Sequence, residues 1–74
     1  MTTNPFTVAR DAVEIRAQFN EGEAKRYCGL AALHRGETHD TYTERAERWR
    51  IRAQEARGIG LILSAIIDTH NQNK

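Results

Sequence analysis

The chain has 74 residues, 11 basic and 10 acidic side chains, a net charge of +1 and one cysteine. That length allows one small domain and excludes a large independent core. The lone Cys28 excludes an internal disulfide and fits a reducing compartment, and the balanced charge argues against sequence-independent coating of nucleic acid.

The segment Met1 to Phe6 has neither the basic nor the apolar part of an export signal. The most apolar run, Ile59 to Ile67, is about half of the ~20 residues needed to cross a bilayer. The expectation is a soluble, cytoplasmic protein.

Asn4-Pro5 predicts a helix start, with Asn as N-cap and Pro where its missing N–H costs nothing. Val8, Ala12, Ile15 and Phe19 then recur at helical spacing, and Leu30 and Leu33 extend the same stripe if the helix continues. This stripe is the expected core face of a first helix over 5–35, bent or kinked near Gly22 in the polar stretch Asn20 to Arg26. A turn is expected over 36–40, with Arg35 at the negative end of the first helix. Asp40 or Thr41, with Glu44, suggests the cap of a second helix over 41–69, and His70 to Lys74 should fray.

The second helix has the sharper pattern. Tyr42, Ala46, Trp49, Ala53, Ala56, Gly60, Leu63 and Ile67 alternate in steps of four and three, a heptad seam. Small residues at its centre let a neighbouring helix approach closely, and Gly58 and Gly60 are assigned to that close packing. The expected fold is therefore all-α: two long antiparallel helices in a hairpin, forming one domain over 1–74.

Next to the seam runs a second face. Arg45, Arg52, Ile59 and Ile66 form one heptad line, and Arg48, Glu55 and Ile62 the adjacent one. This face is charged in its first half and apolar in its second. A hairpin alone would leave the isoleucines exposed, and such a patch marks an interface. Ile59, Ile62, Leu63, Ile66 and Ile67 are the expected contacts of a homodimer or higher homo-oligomeric bundle. Arg45, Arg48 and Arg52 would edge the contact, with Trp49, Lys25 and Arg26 nearby, as a ligand-binding set. Guanidinium forks bind phosphate or carboxylate through two oxygens at once. A competing reading makes the arginines a solvated, ion-paired face, with Glu44 four residues before Arg48 in the favourable order.

Nothing in the chain marks a catalytic site. Cys28 lies near Lys25 and Arg26 without a histidine base at a recognisable spacing. Glu21 and Glu23 make no acid–base pair, and His34, His39 and Asp40 match no helical metal-ligand spacing. No enzyme, cofactor or metal is expected.

The run Arg48 to Arg57, followed by Gly58 to Leu63, resembles the second helix of small phage-encoded anti-defence hairpins, the cyclic-oligonucleotide sponges that counter the signalling system CBASS. The likeness covers about a third of the chain. It implies a non-enzymatic protein of the bacterial host cytoplasm that assembles from several copies and sequesters a cyclic nucleotide between them. An aromatic near the N-terminus would stack on the base, and only Phe6 stands there. Other small phage hairpins bind and inhibit host proteins, so the alternative is an adaptor or inhibitor that docks a helix face onto a host protein. Membrane, DNA and RNA are not the expected partners.

Overall fold

A computed structural model describes residues 4–72. The expectations placed on Met1–Thr3 and on Asn73 and Lys74 lie outside the described residues. Two helices, α1 (Pro5–Leu33) and α2 (Glu37–Gln72), pack against each other as an antiparallel hairpin. The described residues contain no strand.

α1 begins as its sequence requires. The Asn4 side chain accepts a 2.8 Å hydrogen bond from the Phe6 N–H, and Pro5 opens the first turn. The helix then runs unbroken through Gly22 and ends at Leu33, earlier than the expected 35, with extended His34 as its cap. The Ala31 carbonyl oxygen accepts from the His34 N–H at 3.2 Å, and His39 of α2 reaches back to the same oxygen with Nδ1 at 2.7 Å, tying the start of α2 to the end of α1.

The turn is shorter than the expected 36–40. Gly36 has φ +67°, a conformation glycine adopts without steric penalty, and its carbonyl accepts the first hydrogen bond of α2 from the Asp40 N–H. α2 therefore starts at Glu37. Asp40 and Thr41 lie inside its first turns and do not cap it; Thr41 instead donates to the Glu37 carbonyl at 2.9 Å. Glu37 and Asp40 place negative charge near the positive end of the helix dipole. At the far end, His70 and Asn71 are helical where fraying was expected.

The seam predicted for α2 is the one that packs against α1. Ala46, Ala53, Ala56 and Ile67 are buried, and Tyr42, Trp49, Gly60 and Leu63 are half-buried. The face α1 presents to it is not the expected one. Val8, Ile15, Phe19 and Leu33 are 54%, 68%, 52% and 79% exposed, whereas Ala17, Ala24 and Ala31 are buried with Asn20. Val13, Asn20 and Tyr27 interleave with these three alanines in alternating steps of three and four, a second heptad seam.

Complementarity explains the choice. A seam of alanines and a glycine offers close approach, and only small residues opposite can use it. Large side chains would hold the axes apart and leave voids beside the alanines. The role assigned to Gly58 is corrected for the same reason. Gly58 faces outward with open space around its Cβ position, while at Gly60 a Cβ would stand 3.8 Å from Val13 Cγ1. Close packing thus concerns Gly60 alone of the pair.

Candidate functional site

The seam divides the hairpin surface into two flanks. On one, the α1 lines Arg16–Glu23–Leu30 and Ala12–Phe19–Arg26–Leu33 lie beside the α2 lines Arg45–Arg52–Ile59–Ile66 and Arg48–Glu55–Ile62. Contacts between the helices fix this pairing. The Phe19 and Trp49 rings meet edge to face with centroids 5.8 Å apart, and Tyr27 stacks on Tyr42 at 6.0 Å.

Four guanidiniums lie over these rings. Arg26 and Arg45, one from each helix, approach the Tyr27 ring at 4.5 and 5.9 Å; Arg52 lies 4.8 Å from Trp49 and Arg16 6.0 Å from Phe19. The result is a belt of arginines and aromatics across the middle of the flank. Its ends differ from its centre: Leu30 and Leu33 lie toward the turn, and Ile59, Ile62 and Ile66 toward the open end.

Two belt arginines have carboxylate partners. Arg48 pairs with Glu44 at 2.7 Å, the expected four-residue pair, and Arg26 with Glu23 at 3.0 Å. The hydrogen bond and charge of Glu23 raise the Arg26 pKa further above its ordinary value. Arg16, Arg45 and Arg52 have no carboxylate within 4.0 Å among the described residues. No ion pair within that distance ties up their donors, which stay open to an incoming anion.

The opposite flank holds a groove of about 680 Å³ with a floor of Ala24, Ala53 and Gly58. Lys25, Cys28, Arg50 and Arg57 line its rim. Arg57 bridges the helices to Glu21 at 2.7 Å, and Arg50 pairs with Glu47 at 2.9 Å. These cations are engaged, except Lys25, which has no carboxylate within 4.0 Å among the described residues.

Of the ligand-binding set named from sequence, the structure brings Arg26, Arg45, Arg48, Trp49 and Arg52 onto one flank and puts Lys25 on the other. Sequence reasoning missed Arg16, Phe19 and Tyr27 as belt members. The heptad interval ties Phe19 to Arg26, but the sequence alone puts Phe19 in the apolar stripe expected to face the core, and nothing local marks Arg16 or Tyr27. The interface set also divides. Ile59, Ile62 and Ile66 stay 51%, 63% and 39% exposed, while Leu63 and Ile67 are drawn into the hairpin seam.

His39 is engaged at the turn by Ala31, and no three His, Cys, Asp or Glu side chains among the described residues converge as a metal site would need. No described helix is long and apolar enough to cross a membrane. No protein-family model, curated protein or solved structure matches the chain.

Proposed function

We propose that this protein is a non-enzymatic binding protein that sequesters an anionic nucleotide on the arginine–aromatic flank, at a site completed between copies of the chain. The observation that carries this reading is the belt itself. Arg16, Arg45 and Arg52 have no acidic partner within ion-pair distance among the described residues, yet each is held beside an aromatic ring or next to one. Guanidinium forks take phosphate oxygens in pairs, and the rings and guanidinium planes offer stacking surfaces for bases. The likeness of the second helix to phage cyclic-oligonucleotide sponges makes a cyclic nucleotide the first ligand to try, and a bacterial host cytoplasm the setting.

Isothermal titration against cyclic di- and trinucleotides tests the reading. Binding should weaken by about 1.5–3 kcal/mol for Arg45→Ala or Arg52→Ala, the usual worth of a charge-assisted hydrogen bond. No binding across the panel, or binding indifferent to both substitutions, would remove it.

A second reading, an adaptor that docks onto a host protein, draws on the exposed apolar residues of α2, Ile51, Leu61 and Ile62 among them. Its test is capture from bacterial lysate. A stoichiometric protein partner that is lost with Leu61→Asp supports it, and recovery of none opposes it.

A further inference from the structure

The hairpin is a single layer. Its Cα atoms span 58 × 19 × 11 Å with a radius of gyration of 16.9 Å, against about 11 Å for a compact chain of this length. Its accessible surface is 5778 Å², against about 4,600 Å² expected for a folded monomer of this mass. The excess, about 1,200 Å², exceeds the ~800 Å² that each partner commonly gives to a stable interface. Stable domains place two layers around a core. Among the described residues the core is mostly alanine, and its one large aliphatic side chain is Ile67. A second layer packed on one flank by another chain would bury that excess.

The belt flank says which chain. Leu30 and Leu33 lie at one end, Ile59, Ile62 and Ile66 at the other, and the arginines between. A two-fold axis along the hairpin sets each apolar end against its own copy. One perpendicular to it, through the belt, sets the leucines of one copy beside the isoleucines of the other. Both bury apolar surface against apolar surface, the self-complementarity that an isologous contact needs. Both also lay belt on belt. Glu23 and Glu44 are already paired, which leaves Glu55 as the flank carboxylate free to offset Arg16, Arg45 and Arg52, so positive charge stays in excess where the belts meet and works against association.

We propose that a second copy of this chain covers the flank bearing Leu30, Leu33, Ile59, Ile62 and Ile66, and that a polyvalent anion held between the two arginine belts tightens the association. The anion part rests on the binding role proposed above; the choice of face rests on the surface alone. Cys28 lines the groove on the opposite flank and stays accessible in such an assembly.

Sedimentation over a concentration series, at fixed ionic strength, with and without inorganic tripolyphosphate, tests both parts. Tripolyphosphate should lower the dissociation constant of self-association by about tenfold or more. The double variant Arg45→Gln/Arg52→Gln should associate tightly in either buffer and lose the response. Ile62→Asp, checked for helicity by circular dichroism, should associate poorly in both. Because that variant can fail to fold, the native chain carries a second check: a bulky maleimide on Cys28 should leave the mass unchanged.

An association constant indifferent to tripolyphosphate would overturn the anion linkage, and dissociation on labelling Cys28 would overturn the choice of face. A cyclic nucleotide that binds one chain without changing its mass would overturn the linkage yet leave the nucleotide reading standing. Tripolyphosphate-linked assembly with no nucleotide bound would support the linkage and sink that reading.

Discussion

Each helix of this hairpin carries an apolar series at helical spacing, and the structure uses the two series in opposite ways. On α2 the series from Tyr42 to Ile67 is the packing face. On α1 the large side chains Val8, Ile15, Phe19 and Leu33 are outside, and the packing face is Ala17, Asn20, Ala24 and Ala31. Size, rather than hydrophobicity, separates the two. Burial of a large side chain contributes more per residue, ~1.5–3 kcal/mol, but only where the opposite surface can close around it. Against Ala46, Ala53 and Gly60, only small residues can.

The comparison predicts its own largest breach. Ala24→Leu or Ala53→Leu adds apolar surface to the seam and should nonetheless destabilise the protein by about 1–3 kcal/mol, because the added bulk forces the helices apart. Thermal unfolding measures this, and a variant as stable as the parent would show that the seam has room to spare.

Gly60→Ala sharpens the comparison from the other side. Its new Cβ would stand in ordinary contact with Val13, 3.8 Å away, and alanine is the better helix former. The variant should gain about 0.5–1 kcal/mol in denaturant titration. A loss instead would place the two backbones closer than the structure has them.

The smallest expected effect belongs to the outer stripe. Ile15 lies on the side of α1 turned away from the seam and is 68% exposed, so Ile15→Ala should change unfolding free energy by less than about 0.5 kcal/mol. A cost of several times that would mean that the back of α1 is also covered in the assembled protein.

Much of the architecture was legible in the sequence for local reasons. The Asn4-Pro5 start, the glycine turn and the α2 seam each follow from backbone conformation or helical period, and each is present. The start of α2 moved to Glu37 because Gly36 turns the chain at positive φ, and His39 then reaches Ala31 across the turn, a contact between residues eight apart that no local pattern announces. The α1 face was missed by ranking side chains by apolar size. The heptad interval of Ala17, Ala24 and Ala31 was in view, and a small-residue seam on one helix calls for one on the other.

Half of the belt could be seen on α2 alone. Its α1 half, Arg16, Phe19 and Tyr27, follows only once the packing face is known, since rotating α1 about its axis decides which flank each residue joins. The same rotation puts Lys25 on the opposite flank from the belt, beside Arg50 and Arg57.

The central claim is that an alanine seam holds the hairpin while its large apolar side chains await a second layer. The mass in solution tests it most directly. Sedimentation equilibrium at micromolar concentration should give at least twice the 8.4 kDa of the chain. A stable, cooperatively unfolding species of one chain's mass would contradict the account.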